Sequence, residues 1–151
     1  MNEPGHSDQF GEQKRLSVRL GAQEFAIDAN HVRELRGYSA LTPVPHSQPY
    51  VNGLLDLRGT IIPVIDLALR LGMPALKPTS TSVIVVVESP RGPIGLLVDE
   101  VCDLFSTDAS QVPAVFQQDL REQFVTGALS LNSRIINVLD TANIFVPEGV
   151  S

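Results

Sequence analysis

Residues 51–67, with the sequence VNGLLDLRGTIIPVIDL, decide the fold of this protein. Two apolar runs, 51–57 and 60–67, are joined by the dipeptide Arg58-Gly59, which is typical of a tight β-hairpin turn. Since apolar residues follow one another in both runs, we expect both strands to be buried on both faces. Pro63 has no backbone N–H to donate to a neighbouring strand, so it predicts a bulge or a sheet edge.

Short strands and turns are predicted for most of the remaining chain. Apolar residues alternate with polar ones or form short runs, and Gly, Pro, Asn or Ser separate them. The additional strands are predicted at 16–20, 25–27, 32–35, 82–88, 93–98, 124–131 and 134–139, with a proline-rich loop at 37–50. Asp28, Asp66 and Asp140 are each placed to cap a short helical segment, which for the last two would be 67–71 and 140–145. This pattern of nine or ten short strands indicates a mainly β fold of small barrels or a sandwich.

The ends of the chain are predicted to lie outside the folded domain. Residues 1–14 are polar and rich in Gly and Gln, so we expect a disordered tail, and residues 147–151 are expected to form a loose end. The domain itself would span residues 15–146. No apolar run approaches the roughly 20 residues that cross a bilayer. The single cysteine, Cys102, fits a reducing compartment and is flanked by apolar positions, which favours a cytoplasmic protein with Cys102 buried as a small hydrophobic residue.

Charge and residue types argue against several classes of function. The formal net charge of -6, without any cluster of basic residues, disfavours nucleic acid and anionic membranes as partners. We predict no catalytic residue, metal site or cofactor, because the few histidines, including His31 and His46, are expected to be solvated and one cysteine cannot hold zinc. The alternative of another class is a small ligand-binding barrel or an enzyme that uses Asp99 and Glu100.

Arg58 is the only charged residue within an otherwise apolar turn region, apart from Asp56. Its guanidinium presents a rigid set of donors that suits carboxylates and protein interfaces. Glu34, on a strand of the same small core, is the expected internal partner. The pair would be either a structural ion pair that fixes the turn or part of an interface, and the spacing alone leaves both possibilities open.

The stretch 51–67 also resembles the signature of the CheW family of chemotaxis coupling proteins, which has the pattern G-V-I-N-L-R-G-x-V-V-P-V-I-D-L. Four further segments resemble the family in the same order, from residue 25 to residue 127. They are FAID at 25–28, VRELRGY at 32–38, GLLVDEV at 95–101 and FVTG at 124–127. Asp56 departs from the pattern, because the family usually has Asn there.

The resemblance implies a fold of two five-stranded SH3-like barrels that share an apolar core. It implies an adaptor, not an enzyme, that couples the cytoplasmic tips of methyl-accepting chemoreceptors to the regulatory domain of the histidine kinase CheA, and that meets other CheW-like modules in rings. A scaffold of a type IV pilus or another chemosensory-like pathway is the alternative within the family. The kinase surface would use exposed apolar residues between Thr81 and Leu131.

The resemblance also implies a receptor-binding groove between the two barrels, in which an apolar trough accepts a receptor helix. Carried over by position, the groove residues are Val32, Glu34, Leu35, Gly53, Arg58, Gly59, Gly95, Val101 and Leu104.

Overall fold

The computed structural model describes residues 13–107, 112–113 and 123–147. Almost all of its regular structure is β. The strands are β1 (Gln13–Leu20), β2 (Gln23–Asp28), β3 (Val32–Gly37), β4 (Val51–Leu57), β5 (Thr60–Asp66), β6 (Val83–Val87), β7 (Ile94–Val98), β8 (Glu100–Thr107), β9 (Val112–Pro113), β10 (Val125–Leu131) and β11 (Arg134–Leu139). A 3-10 helix (Ala29–His31) and a single-turn helix, α1 (Leu67–Arg70), complete the elements of the described residues.

The strands form two sheets. One has the order β3-β6-β7-β5-β4, and the other has the order β8-β1-β2-β11-β10-β9. All neighbours within each sheet are antiparallel except β5 with β7 and β2 with β11. The first sheet curls strongly, because Thr42, which follows one edge strand, bridges Leu54 on the opposite edge strand.

Three apolar clusters fill the molecule, and the central one is shared. It collects side chains from both sheets, among them Phe25 of β2 and Leu96 of β7. A second cluster lies on the other face of the five-stranded sheet, around Ile62 and Val86, and a third lies on the other face of the six-stranded sheet, around Ile136. Each sheet is therefore covered on both faces. The predicted mainly β fold, with two small units sharing an apolar core, is confirmed, although the second sheet has a sixth strand, the two-residue β9.

The hairpin of β4 and β5 confirms the predicted turn and corrects two other predictions. Arg58 and Gly59 have φ angles of 52° and 92°, the left-handed conformations that a two-residue hairpin loop requires. However, the strands are not buried on both faces throughout, because Asp56 and Ile61, which face each other in register, are exposed. The apolar run hid this alternation since Ile61 is itself apolar.

Pro63 lies neither at a sheet edge nor at a bulge, contrary to prediction. It sits in β5, between β4 and β7, and pairs with Leu54. Leu54 directs its own N–H and C=O away, to Thr42, so this pair needs no hydrogen bond from residue 63. Pairing of β5 with β7 begins only at Val64. A missing N–H is thus tolerated at this position.

Two of the three predicted aspartate caps begin helices. The Asp66 carboxylate accepts from the N–H of Leu69 at 3.0 Å, and that of Asp28 accepts from Asn30 at 2.9 Å. The prediction of a helix after Asp140 was wrong. Its carboxylate accepts from Ala142 at 3.0 Å, but only a turn follows.

The predicted chain ends lie mostly outside the described residues. This holds for residues 1–12 of the predicted tail and for residues 148–151 of the predicted loose end. β1 begins at Gln13, two residues before the predicted start of the domain.

Candidate functional site

An ion pair between Arg58 and Glu34 joins opposite edges of the five-stranded sheet. The Nη2 atom of Arg58, in the turn after β4, lies 2.6 Å from Oε1 of Glu34 on β3, and Nη1 lies 3.5 Å from Oε2. The Arg58 side chain is 65% exposed and that of Glu34 is 27% exposed. The expected internal partner of Arg58 is therefore confirmed, and the guanidinium remains within reach of another molecule.

The electrostatics of this pair favour its charged form. The hydrogen bond from Arg58 is the main cause that lowers the pKa of Glu34, and the charges of Arg58 and Arg36 act in the same direction. Arg36 approaches the same carboxylate at 3.7 Å. The same hydrogen bond raises the pKa of Arg58. Both groups are thus ionised throughout the neutral range.

Asp56, the departure from the family pattern, binds the turn backbone and not Arg58. Its Oδ1 accepts from the N–H of Gly59 at 2.8 Å. Aspartate side chains often stabilise turns in this way. Asp56 therefore holds the turn that presents Arg58, while Glu34 binds the guanidinium.

Two of the predicted groove residues are buried glycines with close neighbours. A Cβ at Gly53 would lie 2.7 Å from the Cβ of Leu41, and one at Gly95 would lie 2.8 Å from Cγ2 of Ile84. Any side chain would therefore collide with packed atoms at either position. What Gly53 and Gly95 contribute to docking must pass through backbone packing. Gly59, by contrast, is exposed in the turn.

The apolar members of the predicted groove occupy the edge strands β3 and β8. Val32 and Val101 are half-buried and pack against the same shared core cluster. Leu35 and Leu104, three residues further along their strands, are 47% and 66% exposed. The structure thus brings Val32 and Val101 to one cluster and Glu34 to Arg58, and it exposes a leucine beyond each valine.

Asp99 and Glu100, the residues of the enzyme alternative, make structural contacts. Oδ2 of Asp99 accepts from the N–H of Gly21 at 2.7 Å, and Oε1 of Glu100 lies 2.7 Å from Nη2 of Arg19. Two clefts of about 260 and 280 Å³ lie elsewhere, one beside the proline-rich loop and one beside His31 and Glu88. Neither cleft includes Asp99, Glu100 or a residue of the predicted groove.

Cys102 is exposed, which corrects the prediction that it is a buried hydrophobic residue. It is the extra residue of a bulge, because Val101 pairs with Val18 and Asp103 pairs with the preceding Ser17. Partial burial of its sulfur, with the nearby charges of Glu24 and Glu100, raises the pKa of the thiol. His31 and His46 are exposed, as predicted.

Neither metal ligation nor membrane insertion is indicated within 13–107 and the other described segments. These residues contain no group of three His, Cys, Asp or Glu side chains suited to a metal ion. They also contain no helix long and apolar enough to span a bilayer.

Sequence analysis missed a second acid–arginine pair on the other sheet. Nη2 of Arg134, at the start of β11, lies 2.7 Å from Oδ2 of Asp103 on β8, and its Nε lies 3.0 Å from Oε1 of Glu24. The signal that could have found this pair is an internal similarity between the two halves of the chain.

Comparison with known proteins identifies relatives across nearly the whole chain. The sequence profile of the CheW-like domain matches residues 14–148. A probable chemotaxis protein CheW from Rhizobium etli is 38% identical over 137 residues, which cover 89% of this chain and 88% of the relative. The chemotaxis protein CheW of Rhizobium meliloti is 36% identical and covers 91% of this chain and 90% of its own. The crystal structure of the scaffolding protein TtCheW from Thermoanaerobacter tengcongensis superposes with a TM-score of 0.83 at 28% identity and covers 91% of this chain and 94% of that one.

Proposed function

The chain belongs to the family of CheW-like domains, and from this premise we propose that it is a chemotaxis scaffold that couples the cytoplasmic tips of chemoreceptors to the regulatory domain of the histidine kinase CheA. Relatives of similar length carry the name of chemotaxis protein CheW, and the similar solved structure is described as a scaffolding protein. A scaffold acts by binding, so it needs no catalytic group.

The observation that carries the proposal is the exposed Arg58–Glu34 pair beside Leu35. An arginine with most of its side chain in solvent can bind a partner carboxylate without leaving Glu34. Leu35, on the next position of β3, offers apolar area to a helix that crosses the strand. In this arrangement the apolar contact supplies area and the ion pair fixes the register of the partner.

The docking surface extends to the edge strand of the other sheet. Val101 and Leu104 stand on β8 as Val32 and Leu35 stand on β3. The buried Gly53 and Gly95 support this surface from below through the close packing of their backbones. The kinase surface is expected on other exposed apolar residues between Thr81 and Leu131, a range that is described only in part.

Purified components test the proposal directly. The full chain is mixed with a receptor-tip fragment and with a CheA regulatory domain, and co-elution is measured at micromolar concentrations. Binding of both is expected, and failure to bind either would overturn the coupling role.

Arg58→Glu tests the site. We expect it to weaken binding of the receptor-tip fragment while the thermal melt stays close to that of the wild type, because the side chain is exposed. Arg91→Glu is the matched control, since Arg91 is also exposed in an arginine–glycine turn, between β6 and β7. A collapsed melt for Arg58→Glu alone would instead give Arg58 a structural role.

A further inference from the structure

The two halves of the chain repeat one sequence. Residues 51–67 and 125–141 align without a gap, with a constant offset of 74. Each segment forms a hairpin with a register shift after its first residue, at Val51 and at Val125. Eight of the 17 aligned positions are identical, and in the first segment they are Val51, Gly53, Leu55, Leu57, Ile61, Ile62, Val64 and Asp66.

A second pair of segments shows the same relation in strand pairing. Strands β1, β2 and β3 correspond to β6, β7 and β8 with a constant offset of 69 residues. Ser17 pairs with Ala26, and the corresponding Val86 pairs with Gly95. One residue bulges in β3 between Val32 and Glu34, and one bulges in β8 between Val101 and Asp103. The offset holds through strands, turns and bulges.

The sheet orders confirm that the units are equivalent. Replacing each strand of β3-β6-β7-β5-β4 by its counterpart gives β8-β1-β2-β11-β10, which is the observed order of the second sheet. The outer neighbour also has a counterpart, because Thr42 bridges β4 and β9 pairs with β10. The described chain thus contains two copies of one unit, and the N-terminal hairpin β1–β2 completes the second copy.

Exposed apolar residues and acid–arginine pairs obey the same repeat. Leu35 corresponds to Leu104, and Ile61 (57% exposed) corresponds to Ile135 (74% exposed). Glu34, which binds Arg58 of the β4–β5 turn at 2.6 Å, corresponds to Asp103, which binds Arg134 at the β10–β11 turn at 2.7 Å. Packing alone explains why buried positions repeat, but it does not explain why exposed apolar positions do.

We propose that Asp103 and Arg134, with Leu104 and Ile135, form a second docking patch that binds the same kind of partner element as the patch of Glu34, Arg58, Leu35 and Ile61. This inference rests on the proposed function. The partner element is an amphipathic helix that places a carboxylate beside its apolar stripe, because each patch combines exposed aliphatic side chains with a partly exposed arginine. Two like patches fit a partner that presents this helix face twice, as a helical hairpin does.

Arg134→Glu tests the second patch, with the receptor-tip fragment as the probe and its dissociation constant as the readout. Reversal places two like charges beside the partner carboxylate, so we expect binding at least about tenfold weaker, as for Arg58→Glu. Arg19→Glu is the matched control. Arg19 has the same side-chain exposure of 41% as Arg134 and also binds a β8 acid at 2.7 Å, but it lies outside the repeated patches.

The outcomes separate the two proposals. If Arg134→Glu weakens binding like Arg58→Glu while Arg19→Glu does not, the second patch is supported. If Arg134→Glu behaves like Arg19→Glu, the second patch is refuted and the proposed function stands. If the wild-type chain does not bind the fragment, both are refuted. Should Arg134→Glu lower the thermal melt, Ile135→Ser decides instead, because a 74% exposed side chain can be truncated without loss of the fold, and unchanged binding would overturn the inference.

Discussion

Gly53→Ala is expected to destabilise the fold through backbone crowding. The new Cβ would lie 2.7 Å from the Cβ of Leu41 and 2.9 Å from the carbonyl oxygen of Thr42, distances that real Cβ atoms do not tolerate. Because the Thr42 contact is with backbone, no side-chain rotation can relieve it. Either the chain at 41–42 moves away from β4 or the crowding remains as strain.

Both routes lead to a similar magnitude. If the chain moves, the two hydrogen bonds between Thr42 and Leu54, of 3.0 and 2.8 Å, are lost at a net cost of about 1 kcal/mol each. If it stays, overpacking costs about 1–3 kcal/mol. The two costs are alternatives, so we expect a loss of about 2 kcal/mol and a fall in melting temperature of about 4–8 °C.

Thermal and urea unfolding of the full chain measure this loss. Gly37→Ala is the matched control, since Gly37 lies in a strand with no positive φ, and the methyl group of an alanine there would have no atom within 4 Å. It should change stability by less than about 0.5 kcal/mol. Equal melts for the two variants would refute the crowding argument. Weaker receptor binding by Gly53→Ala without a lower melt would show that the glycine surface itself touches the partner.

Three further predictions concern other parts of the molecule. Because the pKa of Glu34 is lowered from its ordinary value of 4.5, the stability difference between wild type and Glu34→Gln should be constant above that value and decline as the pH falls below it; a difference that grows in acid would contradict the ion pair. The raised pKa of Cys102 should make its alkylation at pH 8 slower than that of a free thiol such as glutathione, and an equal or faster rate would refute this. Arg70 lies 4.2 Å from the ring centre of Tyr50 and 4.8 Å from that of Phe124, and its Nε donates to Ile144 O at 2.6 Å; Arg70→Met should therefore cost about 1–3 kcal/mol in unfolding free energy, whereas equal melts for Arg70→Met and the exposed control Arg91→Met would exclude this clamp.

Local features of the chain were predictable because they rest on local chemistry. The turn at Arg58-Gly59 needs only two residues with left-handed backbone, and the Asp66 cap needs only a carboxylate before a helix. The Arg58–Glu34 pair was predictable because the core is small enough to bring β3 near the β4–β5 turn. These predictions do not depend on how the two sheets are joined.

Predictions that depended on pairing were less successful. Cys102 was assigned to the core because its neighbours are apolar, but a bulge in β8 places it in solvent. Pro63 was assigned to an edge because prolines avoid inner strands, but its pair with Leu54 requires no hydrogen bond. A sequence pattern does not contain the register of a strand with distant partners, so neither outcome could be derived from it.

The repeat was present in the sequence and was overlooked for a topological reason. Its second unit is not contiguous, because β8, β10 and β11 lie at the C-terminal end while β1 and β2 lie at the N-terminal end. A search for adjacent copies of one segment does not find units that are interleaved in this way. The two constant offsets, 74 and 69 residues, appear only when each hairpin is compared separately.

The bulges bear on how the two edge strands recognise a partner. An edge strand with a regular ladder can accept another strand, whereas a bulge twists the edge and interrupts its row of donors and acceptors. Both β3 and β8 carry a bulge immediately before their acidic residue, Glu34 and Asp103. Strand addition is thereby disfavoured at the two positions where exposed leucines stand. The same bulge turns the acid toward an arginine from a neighbouring hairpin, so recognition at β3 and β8 must come from side chains, which is the form of contact that a helix requires.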